Sequence, residues 1–133
     1  MLYQRAHAAW NHVHANDGEA ALFKGDCQAL LAAIPDNSVT LALTSPPYCM
    51  GKAYEPGNTI EDFIAAHALV LPEILRVLKP GGSICWQVGY HVERNQLTPL
   101  DYLVFDAMRK LDPKPILRNR IIWTFGHGFH CER

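Results

Sequence analysis

From residue 20 onward, apolar positions switch between two periods. Ala21-Leu22-Phe23-Lys24 is a short run that ends at Gly25-Asp26, and it predicts a strand. Leu30, Leu31 and Ile34 then share one helical face, which predicts a helix over 27–34 with Asp26 as its cap. Val39 to Thr44 is β-rich and nearly continuously apolar, the pattern of a buried parallel strand. Helical spacing returns with Ile60, Phe63, Ile64, Ala68, Leu71, Leu75 and Leu78. Thr59 and Asp62 stand before them as a capping-box-like pair. Pro72 is expected to kink or divide this helix, because it removes a backbone donor. Lys79-Pro80-Gly81-Gly82 should stop it, and Ser83 to Val88 predicts a second buried strand. Thr98 and Pro99 read as the cap and first-turn proline of a helix whose apolar face is Leu100, Leu103, Val104, Ala107, Met108 and Leu111. Ile116 to Phe125 predicts a last strand. Before residue 20, Ala6, Trp10 and Val13 suggest a short helix over 2–15, stopped by Asn16-Asp17-Gly18.

The order β-α-β-α-β-α-β predicts an α/β fold with a mostly parallel sheet and flanking helices. Its crossovers should be right-handed. The 133 residues suit one domain, and 49% hydrophobic with 19% charged residues excludes wholesale disorder. The net charge of −1 hides an asymmetry. Residues 1–108 sum to −5, whereas residues 109–133 sum to +4 through Arg109, Lys110, Lys114, Arg118, Arg120 and Arg133 against Asp112 and Glu132. A basic stretch of that kind can attract a polyanion or simply face solvent. Cys27, Cys49, Cys85 and Cys131 form no C-x-x-C pair, which argues against a zinc ribbon or a disulfide scaffold. No apolar run approaches the ~18 residues of a membrane span. Met1 to Trp10 lacks a signal-peptide core. A soluble cytoplasmic protein is expected.

In open α/β sheets, ligands bind at the carboxyl ends of strands. The strand at 39–44 runs into residues 45–58, a long connection with three prolines and two glycines. Pro46 and Pro47 have no N–H and fixed φ, and Ser45 is pushed to extended geometry by the proline after it. The result is a stiff ridge of carbonyls with few competing donors. Such a ridge suits an exocyclic amine, whose lone pair two acceptors can pull out of conjugation. Tyr48 offers a face on which an extruded base can stack. A proline-rich turn with a buried tyrosine would look the same by spacing alone.

Leu43-Thr44-Ser45-Pro46-Pro47-Tyr48 resembles the (D/N/S)-P-P-(Y/F) motif of the amino-methylating DNA methyltransferases. Three further segments match the same family in its own order. Phe23 to Cys27, with Leu30 to Val39, resembles the entry to that motif. Leu71 to Gly82 resembles the helix and turn before the next strand, and Arg118 to Trp123 resembles a later motif. Together they cover residues 20–130. The resemblance implies a partial, Rossmann-like S-adenosylmethionine-dependent methyltransferase fold. In the family's β arrangement the catalytic half comes first, and the F-x-G-x-G loop of the cofactor half lies nearer the C-terminus. That loop is absent here. The expected division is an N-terminal extension over 1–19, helical, and the catalytic part of a methyltransferase domain over 20–133.

The same resemblance implies roles. Ser45, Pro46, Pro47 and Tyr48 would be catalytic: Ser45 and the Pro46 carbonyl hold the amine, Pro47 shapes the ridge, and Tyr48 stacks on the base. Methyl transfer would be direct, from S-adenosylmethionine to nitrogen, with positioning carrying most of the work. Serine at position 45 favours N4 of cytosine, whereas aspartate is usual for N6 of adenine. Asp26 and Thr44 are cofactor-binding candidates, although Asp26 can equally be a simple N-cap. Arg118 and Arg120 are candidates for phosphate contacts on DNA. The expected partners are double-stranded DNA and a second chain carrying the cofactor half, with no membrane. An adenine-N6 DNA methyltransferase is one alternative, and a non-catalytic truncated remnant or DNA-binding subunit needing a second chain is another. No metal is expected, since neither His127, His130 and Cys131 nor His12 and His14 make a four-ligand set. Phe125 to Cys131 could line the base pocket. Cys49 reads as an inert loop thiol, and Trp86 and Trp123 as core. A truncated sheet would leave an open apolar edge.

Overall fold

An apolar strand, a helix and a second apolar strand close on one another as a parallel pair with the helix laid across one face. The computed structural model shows this at its centre. It describes residues 10–15, 18–49 and 59–124, with side chains from Phe23 onward. The elements are β1 (Trp10–Ala15), β2 (Gly18–Phe23), α1 (Cys27–Ala33), β3 (Val39–Thr44), α2 (Ile60–Val77), β4 (Leu78–Trp86), β5 (Tyr90–Glu93), β6 (Gln96–Pro99) and α3 (Leu100–Met108). Strands β3 and β4 pair in parallel, with Leu41 opposite Ser83 and Thr44 opposite Trp86. The register shifts between Val39 and Leu41, where Lys79 to Gly82 bulge out of the ladder. Gly82 lies so close that a Cβ would stand 2.9 Å from the Lys79 carbonyl oxygen, and Gly81 has φ of +80°. The Pro-Gly-Gly run is what makes this tight helix-to-strand turn possible.

One face of the β3–β4 pair is covered. Leu31 of α1 joins Ile74, Val77 and Leu78 in a core against which Val39, Ala42, Ile84 and Trp86 pack. A second core, Cys49, Phe63, Leu100 and Val104, joins the loop after β3 to α2 and α3. Phe63, Leu71, Val77 and Leu100 are essentially removed from solvent. Each such side chain contributes about 1.5–3 kcal/mol of burial free energy. On the other face Leu41 and Leu43 are 52% and 73% exposed, with no described element laid over them. Arg76 of α2 fastens α1, donating to the carbonyls of Leu31 (2.8 Å) and Ile34 (3.0 Å) and pairing with Asp36 and Glu73. The two carbonyls belong to the last turn and C-cap of α1, where a cation is well placed.

The α/β class, with a parallel sheet and flanking helices, is thus borne out, as are the helices at 27–33 and 60–77 and the strand at 39–44. Thr59 and Asp62 do form a reciprocal capping box. Several elements differ from expectation. Residues 10–15, expected within a helix over 2–15, form β1 and pair antiparallel with β2, Ala15 facing Gly18. Asn-Asp-Gly is hairpin-turn chemistry as much as a helix stop, and local pairing costs less loop entropy than a crossover. Residues 1–9 lie outside the described residues. α2 passes through Pro72 without division. The missing hydrogen bond is outweighed by the buried Leu71 and Ile74 on either side. Pro99 sits at the N-cap of α3 rather than in its first turn, with no side-chain cap. Its first free amide, Leu100 N–H, donates to the Gly89 carbonyl at 3.2 Å.

Between β4 and α3 the chain makes an unexpected hairpin, β5–β6, turned by Arg94 and Asn95 at φ of 49° and 63°. This is the two-residue, left-handed turn that right-twisted strands favour. The expected last strand is not formed: residues 116–124 belong to no helix or strand. An apolar run becomes a strand only where another strand's N–H and C=O groups meet it, and among the described residues none does. Ile121 and Trp123 are accordingly 90% and 75% exposed, so Trp123 is not core.

Candidate active site

Because β3 and β4 are parallel, their carboxyl ends lie side by side. The Gln87 N–H donates to the Thr44 carbonyl at 2.9 Å, which ties the exit of β4 to the exit of β3. Ser45, Pro46, Pro47 and Tyr48 leave from that edge. Ser45 and Pro47 are exposed, whereas Thr44, Pro46 and Tyr48 are half-buried. The Ser45 Oγ and Tyr48 Oη stand 3.4 Å apart, so two hydroxyls converge at the mouth of the loop. The tyrosine ring packs against the second core with Trp86 and Val88. A Cβ on Gly89 would lie 3.3 Å from the ring edge, so glycine there leaves the ring its seat. Directly after Tyr48, Cys49 takes φ of +56° and is 3% exposed. Its thiol lies in the apolar cluster with Phe63, Leu100 and Val104. Residues 50–58 of the loop lie outside the described residues.

Beneath this edge is a buried hydrogen-bond chain. His67 of α2 is 4% exposed. Trp86 Nε1 donates to His67 Nε2 at 3.1 Å, and the other ring nitrogen, Nδ1, lies 2.7 Å from the Phe63 carbonyl oxygen. An indole N–H is a donor only, so Nε2 must accept and Nδ1 must carry the proton. The imidazole is therefore neutral, and burial depresses its pKa against a smaller opposing push from the Phe63 carbonyl. Sequence reading missed this residue. The signal was there in the helical row Phe63, His67, Leu71, in which one position is not apolar.

The remaining candidates fall elsewhere. Asp26 is the N-cap of α1, its Oδ1 accepting from Gln28 N–H at 2.7 Å. Its Oδ2 has no partner among the described residues. Arg120 is exposed and bound to Asp101 at the start of α3, Nη2 to Oδ2 2.6 Å and Nε to Oδ2 2.7 Å. Arg118 is exposed. Of the other basic residues, Arg109 and Lys110 both pair with Asp106, and their hydrogen bonds hold that carboxyl below the usual carboxylate range. The structure thus gathers residues 44–48 at one sheet edge and pairs Arg109, Lys110 and Arg120 with acidic residues of α3. His127, His130, Cys131 and the rest of Phe125 to Cys131 lie outside the described residues, as do the side chains of His12 and His14. No described helix is long and apolar enough to cross a membrane.

Comparison with known proteins gives the family. The N6_N4_Mtase family model, described as DNA methylase, matches residues 39–130. The type II methyltransferase M.BglII of Bacillus subtilis is 39% identical over 113 residues, 84% of this chain and 31% of that protein. M.ScaI of Streptomyces caespitosus, also a type II methyltransferase, is 31% identical over 112 residues, 83% of this chain and 35% of that one. The chain thus spans about a third of the length of these relatives. Among solved structures, TTHA0409 of Thermus thermophilus, assigned to the DNA modification methylases, superposes with a TM-score of 0.53. It is 34% identical, and the match covers 65% of this chain and 35% of that one. With the family match extending from β3 through the loop to residue 130, the chain belongs to the DNA amino-methyltransferase family.

Proposed function

We propose that this chain carries the methyl-acceptor side of a DNA methyltransferase and acts on the exocyclic N4 amine of cytosine in double-stranded DNA. The observation that carries the reading is the convergence of the Ser45 and Tyr48 hydroxyls on a proline ridge at the shared carboxyl edge of β3 and β4. Cytosine presents a donor amine beside the N3 acceptor. A hydroxyl can serve either, whereas an ionised carboxylate only accepts. Adenine presents the same pair in its N6 amine and N1, so the preference for cytosine rests on the resemblance, in which serine at this place goes with N4 of cytosine. The Pro46 carbonyl accepts from the amine, and the two prolines bring no N–H that would compete. Tyr48 stacks on the extruded base, its ring seated against Gly89. Holding the nitrogen in line is the chain's main contribution to rate, and no general base is required.

S-adenosylmethionine, when bound, supplies the methyl group. The residues here fit it only in part. Asp26 has a free carboxylate oxygen suited to an adenine amine, and Thr44 stands at the adjacent strand end. The chain holds no F-x-G-x-G loop. The partial fit of Asp26 and Thr44 allows a second reading, in which the chain methylates only with a partner chain that supplies the cofactor half. Arg118 and Arg120 serve DNA phosphates in either case, Arg120 after exchanging Asp101 for a phosphate oxygen.

Nucleoside mass spectrometry of DNA incubated with the chain and S-adenosylmethionine tests the reading. N4-methylcytosine is expected, and exclusive N6-methyladenine would overturn it. Calorimetry separates the two readings. Absence of S-adenosylmethionine binding at millimolar ligand would exclude catalysis by this chain alone.

A further inference from the structure

We propose that His67 is a positioning residue for the base-holding loop, setting the Trp86 indole that backs Ser45 to Tyr48. The proposal rests on the reading of that loop as the amine-holding site. Trp86 is shared by the two cores: it packs against Leu31, Ile74, Val77 and Leu78 on the sheet side, and on the loop side against Cys49, Phe63, Leu100 and Val104, the cluster that also seats Tyr48. In the β3–β4 ladder it is opposite Thr44, the residue before Ser45. The orientation of its ring therefore bears on the sheet edge and on the tyrosine at once. A half-buried indole held by packing alone can turn within its pocket. Here its N–H is fixed by His67 Nε2 at 3.1 Å, with the two rings edge-on and their centroids 5.5 Å apart. His67 is itself fixed from the other side, by the Phe63 carbonyl at 2.7 Å and by the Phe63 ring at a centroid distance of 4.0 Å.

Histidine stands at position 67 in an otherwise apolar row. Neighbouring buried positions of α2 are Phe63, Leu71, Ile74 and Val77, all apolar. A leucine at 67 would fill the core without the cost of burying two ring nitrogens. What histidine adds is an acceptor aimed at one indole and a donor that locks its own tautomer. Such a support, one layer behind the groups that touch substrate, holds a site to fractions of an ångström.

The test compares His67→Leu, His67→Gln and Trp86→Phe in the full chain. Tyrosines are labelled with fluorine, and the Tyr48 signal is identified by its loss in Tyr48→Phe. The indole N–H of Trp86 is followed by proton–nitrogen NMR. His67→Leu is expected to shift the indole N–H and to shift or broaden the Tyr48 fluorine signal. It should lower kcat for DNA methylation about tenfold with KM for DNA changed less than about twofold. His67→Gln, which retains an acceptor, should restore the Tyr48 signal, and Trp86→Phe, which keeps a ring and loses the N–H, should reproduce the defect. A Tyr48 signal unchanged in His67→Leu and in Trp86→Phe would overturn the proposal and leave His67 an ordinary core hydrogen bond. Should His67→Leu not fold, Trp86→Phe against His67→Gln decides by the same signal. Absence of methyl transfer by the wild-type chain would instead count against the proposed function, and the fluorine signal would still decide the role of His67.

Discussion

Tyr48 and Gly89 illustrate how much of the site depends on single side chains. Base stacking on an aromatic face is worth about 1–3 kcal/mol. Tyr48→Ala should therefore weaken methyl transfer by roughly 10- to 100-fold, whereas Tyr48→Phe keeps the ring and should lose far less; steady-state kinetics on the same DNA would show the contrast. Gly89→Ala places a methyl group 3.3 Å from the tyrosine ring. The ring must then move by a few tenths of an ångström, and transfer should fall about tenfold with little change in melting temperature. His67 gives a prediction in pH. Its folded pKa lies below the unfolded value of about 6.5, so the unfolded chain binds the proton more readily. The associated stability is present above pH ~6.5 and declines as pH falls below it. Denaturant titrations of wild type and His67→Gln should diverge in this window, and identical pH profiles would contradict the neutral, buried ring. The Ser-Pro-Pro-Tyr run was legible from the sequence because its chemistry is local. Trp86 was legible only as core, because its bond to His67 joins positions 19 residues apart.

At the scale of elements, the helices and the strand at 39–44 were legible because periodicity, caps and stops agreed. Thr59→Ala removes one arm of the capping box and should cost about 1 kcal/mol, measurable by chemical denaturation. The β5–β6 hairpin was hidden by its turn. Arg94-Asn95 is not the Asn-Gly pair that announces such a turn, yet both residues adopt positive φ. Arg94→Asn substitutes a residue that tolerates this region and should raise stability by a few tenths of a kcal/mol to about 1 kcal/mol. A fall in melting temperature would contradict the turn as described. The misread segments, 10–15 and 116–124, are those where a strand depends on which partner is in reach, and periodicity carries no information about partners.

For the whole molecule, the exposed Leu41, Leu43, Ile116, Leu117, Ile121, Ile122 and Trp123 leave a large apolar surface uncovered. Exposed apolar patches and unpaired strand edges promote association. The isolated 133-residue chain should self-associate at high concentration, and a monomer by light scattering would contradict this. The family was legible from four ordered segments, because each is a local motif. The pairing of the basic stretch was not, since Arg120, Arg109 and Lys110 prove to be bound to acidic residues of α3. The central claim concerns the loop at the end of β3, and the most direct measurement is the rate of N4-methylcytosine formation by the chain and by Ser45→Ala. Loss of a hydrogen bond worth about 1–1.5 kcal/mol predicts a roughly tenfold slower rate at an unchanged melting temperature. An equal rate in the two proteins, or N6-methyladenine as the sole product, would contradict the account.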